Sequence, residues 1–218
     1  MSAPTPKHRF VSLDEYYDAL INGTVKYEWF NGQMWPVGNP ANSPMLMAGA
    51  QPDHSRIKNN VETRLSTQLE TTGCEVMSGD QQIRVEATGL NAFPDVVVAC
   101  EDAQFDDVRG LGTLLNPIVL IEILSPSTEA YDRTDKWAHY QRLPSLHDYV
   151  VIFSNQMRVE HHTRAEASTP WTEQVWFRPD DQMTLSDVPA TLQIGDLYRR
   201  IVLSSSNESR MPRLDLGE

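Results

Sequence analysis

Three residues in the central stretch of the chain have the types that acid–metal chemistry uses: Asp95, Glu122 and Lys136. Asp95 stands at the entry of the apolar run FPDVVVAC (93–100). Glu122 lies inside PIVLIEILSPST (117–128), with Ile121 and Ile123 on either side. A bare carboxylate in an apolar strand is expensive, so each must find a partner, a cation or a proton. Two carboxylates on neighbouring strands can converge on one divalent ion and relieve each other's repulsion. Magnesium suits such a place, because it takes one or two carboxylates and keeps several waters. The alternative is that each acid pairs separately with an arginine or caps a backbone group, since structural ion pairs perturb buried acids too. Both acids together, with a lysine downstream, favour one shared site.

The elements that must position these residues follow from spacing. Both apolar runs are short, rich in β-branched residues and bounded by turn residues, which predicts strands buried on both faces. The segment 130–143 has helical spacing and puts Asp132, Lys136 and Tyr140 on one face at four-residue steps. The ordinary reading of that spacing is an Asp132–Lys136 pair. Upstream, Ser12 with Glu15 three positions on predicts a capping box, opening a helix that Asn22-Gly23 ends. KYEWFNGQMWPV (26–37) reads as a hairpin turning at Asn31-Gly32. It carries Glu28, which as a bland cross-strand acid would be exposed. After an apolar loop (38–52), Asp53 or Ser55 caps a helix reaching Thr71, with Ile57, Val61, Leu65 and Leu69 along one face and His54 in its first turn. Residues 74–89 read as strand, turn, strand, and the acidic stretch 101–109 as a solvated loop. SPST (125–128) signals entry to the next helix. Strands are predicted at 148–154 and, as an antiparallel pair, at 157–163 and 173–178.

With 218 residues and 40% hydrophobic content, the chain can bury one sizeable core. A single domain is expected over 12–203, between a flexible arm (1–11) and a polar tail (204–218). A formal net charge of -12 weighs against loose, charge-driven binding to nucleic acid, although a local basic groove stays open. Cys74 and Cys100 make neither a disulfide framework nor a metal-ligand pattern. No run approaches the length of a membrane span, and MSAPTPKHRF lacks the apolar core of a secretory signal. A reducing cytoplasm is the simplest expectation.

The ordered set YEWFNGQ (27–33), the His54 helix, FPDVVV (93–98), IEILSPST (121–128) and DRTDKWAHY (132–140) resembles the Uma2 family, DUF820. This family belongs to the restriction-endonuclease-like, PD-(D/E)xK, superfamily. The resemblance implies an α+β fold: a central mixed β-sheet flanked by helices, with an added N-terminal β-hairpin and the active centre at one end of the central strands. It implies that Asp95 and Glu122 hold Mg or Mn, that Glu28 is a further acidic group of the site, and that Lys136 assists. His54 and Tyr140 would support these residues. An acid-x-Lys motif would place lysine at position 124, but Leu124 is there, and Lys136 one helix later takes its part. The ion would activate water for phosphodiester hydrolysis in nucleic acid, most simply DNA, in a protein that is a homodimer. The rival reading keeps the fold without cutting, as a protein that recognises nucleic acid or a protein partner.

Overall fold

The structure, a computed structural model, describes residues 9–37, 52–124 and 132–203. The apolar loop, the SPST helix entry and the polar tail lie outside the described residues, as does most of the N-terminal arm.

The local signals at the N-terminus act as their chemistry requires. Helix α1 (Leu13–Asn22) opens on a capping box. Ser12 Oγ accepts the Glu15 amide at 3.2 Å, and Glu15 Oε2 accepts the Ser12 amide at 2.8 Å. Strands β1 (Tyr27–Phe30) and β2 (Gln33–Pro36) form the hairpin. Asn31 and Gly32 both take positive φ, 48° and 77°, as a tight turn between right-twisted strands demands. Helix α2 (Pro52–Leu69) begins slightly earlier than expected, so Asp53 falls in its first turn, where acid favours the helix dipole. Ile57, Val61, Leu65 and Leu69 are its buried residues.

Two six-stranded sheets follow. The remaining strands are β3 (Cys74–Ser78), β4 (Ile83–Val85), β5 (Leu90–Ala92), β6 (Val96–Cys100), β7 (Phe105–Val108), β8 (Leu111–Leu114), β9 (Val119–Leu124), β10 (Asp148–Phe153), β11 (Val159–Thr163), β12 (Thr172–Trp176), β13 (Gln182–Thr184) and β14 (Thr191–Gln193). A π-helical turn (Asp132–Lys136) runs into α3 (Trp137–Tyr140), and α4 (Ile194–Leu197) follows β14. One sheet has the order β2-β1-β5-β4-β8-β7 and the other β12-β11-β10-β9-β6-β3, while β13 and β14 pair separately. Both large sheets are mixed: β9 runs parallel to β10 and β4 to β8, and their other pairings are antiparallel.

The second sheet is the middle layer. Val96, Val98, Val119, Ile121, Ile123, Val150 and Ile152 share a core with the buried face of α2 and with β13, β14 and α4. The alternate residues Val97, Ala99, Leu120, Leu124, Tyr149, Val151 and Phe153 share the other core with the first sheet and α3. Strands covered on both sides need apolar residues at every position, which is why these runs do not alternate. The fold is therefore α+β.

Residues 74–89 form strand, turn, strand as expected, but the two strands join different sheets: β3 pairs with β6 in one, whereas β4 pairs with β5 and β8 in the other. Alternation reveals a strand but not its neighbour. Two local expectations change. The acidic stretch is not a loop but the β7–β8 hairpin, turning at Arg109 and Gly110 with φ of 56° and 86°. Its charge is partly matched, since Arg84 pairs with Asp106 at 2.6 Å, while its own Arg109 ties the hairpin to α1 through Asp14 at 2.9 Å and Asp18. Finally, Cys74 and Cys100 stand opposite each other on β3 and β6 and are joined by a disulfide. Strand register, which their sequence spacing does not disclose, creates that pair.

Candidate active site

Asp95 immediately precedes β6, and Glu122 is central in β9. The antiparallel ladder pairs Val98 with Val119, Val97 with Leu120 and Val96 with Ile121. Asp95 lies one step beyond that last pair, beside the segment that carries Glu122. Where the ladder ends, the Asp95 carboxylate takes over. Its Oδ2 accepts the Ile123 amide at 2.8 Å and lies 3.1 Å from His54 Nε2. Burial pushes the Asp95 carboxyl up, but the hydrogen bond and charge of His54, the Ile123 amide and the Lys136 ammonium outweigh it, so the group stays below its ordinary value.

Glu122 meets its partners from the other side. Lys136 at the end of the π-helical turn places Nζ 3.1 Å from Glu122 Oε1, and the Tyr140 hydroxyl donates to the same oxygen at 2.9 Å. Four-residue spacing in a helix brings both side chains to one acid. Burial, followed by the neighbouring Glu122 charge, holds the Tyr140 phenol well above its ordinary value, so it acts as a donor. From the first sheet, Glu28 on β1 lies 3.0 Å from the same Lys136 Nζ. Glu28 is held in turn by Trp35 Nε1 at 3.0 Å and the Phe93 amide at 3.4 Å. Glu28, Glu122 and Lys136 are 2%, 3% and 5% exposed, so in this low-dielectric setting the ammonium attracts both carboxylates and offsets their mutual repulsion. The bland expectation for Glu28, an exposed cross-strand acid, is overturned by this burial. The Asp132 side chain lies outside the described atoms. Leu124 is a buried core residue of the face shared with the first sheet.

Of the six residues singled out from sequence, Glu28, Glu122, Lys136 and Tyr140 thus meet in one buried cluster, and Asp95 with His54 forms a separate contact that feels the Lys136 charge. Two neighbours were missed. Lys58 and Glu62 follow His54 along α2 at four-residue steps, and Lys58 Nζ is 3.9 Å from Glu62. Burial, with the charge of nearby Asp95, raises the Glu62 carboxyl. A Cβ at Gly79 would come within 2.8 Å of the flexible Lys58 Nζ and 3.3 Å of the Asp95 carbonyl, so this turn passes close beside the site. The four-residue repeat from His54 was the available signal.

The fit to a divalent ion rests on charge and donor type. Two carboxylates, from Glu122 and Glu28, contact the ammonium of Lys136, and the Asp95 carboxylate lies within reach of its charge. One divalent cation would cancel that excess, and carboxylate oxygens are the hard donors Mg²⁺ and Mn²⁺ prefer. Among the described residues, the three donor side chains that converge within 4.8 Å of one another are instead Glu160, His162 and Glu173. Glu160 there already pairs with Arg133 at 3.0 Å and with Arg158 at 2.7 Å, which makes that cluster a poor host for a cation.

A family model described as "Uma2: Putative restriction endonuclease" matches residues 13–197. Two Synechocystis proteins are similar, both called uncharacterized. One, slr1290, is 28% identical over 198 residues, covering 91% of this chain and 95% of its own. The other, sll1609, is 26% identical over 156 residues, covering 72% and 82% respectively. Among solved structures, a protein from Anabaena variabilis described as a putative nuclease belonging to DUF820 superposes with a TM-score of 0.60. That match covers 83% of this chain and 96% of the other at 15% identity, a likeness of fold. With a family match over nearly all of the described fold, the chain belongs to the Uma2 family.

Proposed function

We propose that the protein is a metal-dependent endonuclease that hydrolyses phosphodiester bonds in nucleic acid, most simply DNA. The observation that carries this reading is the buried Lys136 ammonium, 3.0 Å from Glu28 and 3.1 Å from Glu122, beside Asp95. Asp95 and Glu122 would hold Mg²⁺ or Mn²⁺, which when bound neutralises charge at the phosphoryl group and makes water a better nucleophile.

The chain's own residues do the rest. Lys136, fixed between two acids, offers an ammonium where negative charge grows on the phosphoryl oxygens, and little reorganisation is needed at the moment of reaction. Tyr140 orients Glu122 by donating to Oε1, and His54 with the Ile123 amide orients Asp95. Glu28, 3.0 Å from its Nζ, keeps the lysine aimed. The same reading takes residues 12–203 as one domain, a homodimer as the assembly, the commonest symmetry for such proteins, and the cytoplasm as the compartment. Among the described residues no helix is long and apolar enough to cross a membrane.

A plasmid-nicking assay with Mg²⁺ tests the activity. Wild type should nick, chelation should stop it, and Asp95→Ala should lose at least a hundredfold. Equal nicking by both proteins would remove the assignment. A second reading, recognition without cleavage, is favoured by Leu124 in the place of the motif lysine and by the formal charge of -12. Binding of a duplex oligonucleotide without Mg²⁺-dependent cleavage would support it.

A further inference from the structure

Glu160 is a buried carboxylate that the proposed reaction does not use. It is 2% exposed, yet it lies within a row that leads straight to the site. Val151 on β10 pairs with Glu122 on β9 and with Glu160 on β11. The three share one face of the sheet, and Glu160 is two strands from Glu122, roughly 10 Å away. The π-helical turn spans this gap. Arg133 places Nη2 3.0 Å from Glu160 Oε1 and Nε 3.2 Å from Oε2, while Lys136, three residues on, reaches Glu122.

This turn is fastened at further points. The Arg133 guanidinium lies 5.6 Å from the Phe153 ring centroid, and Arg158 packs 5.3 Å from the same ring while donating to Glu160. On the far side of Lys136, Trp137 stacks on Tyr149 at 4.8 Å and on His162 at 4.6 Å. A lysine side chain is long and rotatable, so where its ammonium settles depends on where its backbone is held. A π-helical turn also shifts the rotational phase of a helix, and such turns recur at functional sites. Burying an ion pair seldom adds net stability, so a buried one is better explained by what it holds in place.

We propose that Glu160, acting through Arg133, is a positioning residue that sets the π-helical turn so that the Lys136 ammonium lies between Glu28 and Glu122. This rests on the endonuclease reading for its kinetic consequence, though not for its geometry. Arg158 remains to neutralise Glu160 when Arg133 is removed, so Arg133→Ala should fold. Glu160→Gln keeps the shape and provides a second variant.

The experiment combines steady-state Mg²⁺-dependent cleavage of a duplex oligonucleotide with a crystal structure of the full-length Arg133→Ala protein. Both variants should lose roughly 10–100-fold in kcat, the scale expected for about 1 Å of misplacement. KM should stay within about twofold, and Arg133→Lys should recover part of kcat. In the crystal, Lys136 Nζ should leave Glu122. Unchanged kcat with active wild type would overturn the positioning role and leave the endonuclease reading standing. A raised KM with unchanged kcat and a salt dependence of binding shallower by about one phosphate contact would also overturn it, because Arg133 would then touch the substrate directly. Lys136 unmoved in the crystal would overturn it regardless of activity. No cleavage by wild type would take down both proposals.

Discussion

Replacing Lys136 by methionine keeps most of the side-chain stem and deletes the charge that two buried acids share. Glu28 and Glu122 lie 3.0 and 3.1 Å from its ammonium, and their side chains are 3% and 4% exposed. Removing the common partner leaves both carboxylates without their nearest cation, a defect worth about 3–5 kcal/mol. Against a total stability on the order of 5–15 kcal/mol, that is a large share. With a urea slope near 2 kcal/mol per molar, the unfolding midpoint should fall by roughly 2 M. Adding Glu28→Gln to Lys136→Met should recover part of the loss, because one of the two stranded charges is then gone. The assay is urea unfolding at pH 7 followed by tryptophan fluorescence. A loss of about 1 kcal/mol or less, the scale of an exposed ion pair, would refute the idea that this lysine neutralises a buried acid pair. In the nicking assay the same substitution should cost about 10²–10³-fold, as loss of one preorganised charge-stabilising donor does.

Tyr140→Phe removes the hydroxyl that donates to Glu122 at 2.9 Å and should cost about 1.5–3 kcal/mol by the same unfolding assay, since the acceptor is charged. Ile57→Ala, in the wholly buried face of α2, should cost about 2–5 kcal/mol without changing the metal dependence of any activity. The Asp95 carboxyl is depressed in the folded state below its ordinary 3.8. Its contribution to stability is therefore complete above that value and disappears as pH falls through the lower folded-state value. The stability gap between wild type and Asp95→Asn, measured by urea unfolding, should accordingly be constant near neutrality and close on acidification below 3.8. A gap that widened there would contradict the depressed carboxyl.

The contacts of Glu122 with Lys136 and Tyr140 were legible from local signals, whereas the places of Glu28 and His54 came from the family resemblance. A charge inside an apolar run marks a costly position, and four-residue spacing brings Lys136 and Tyr140 together. What could not be read depends on register between distant strands. The row from Glu122 through Val151 to Glu160, the disulfide between Cys74 and Cys100, and the separation of β3 and β4 into different sheets are all of this kind. The π-helical turn is another example, since its periodicity matches neither the helix nor the strand template. The β7–β8 hairpin hid behind its acidity, because Arg84, which offsets Asp106, comes from β4, and Arg109 of the turn pairs with Asp14 of α1.

A crystal soaked in Mn²⁺, with the ion located by anomalous scattering, tests the central claim most directly. A Mn²⁺ peak between the Asp95 and Glu122 carboxylates, with Lys136 Nζ still beside Glu122, is the predicted result. A peak only among Glu160, His162 and Glu173, or none at either place at millimolar Mn²⁺, would contradict it.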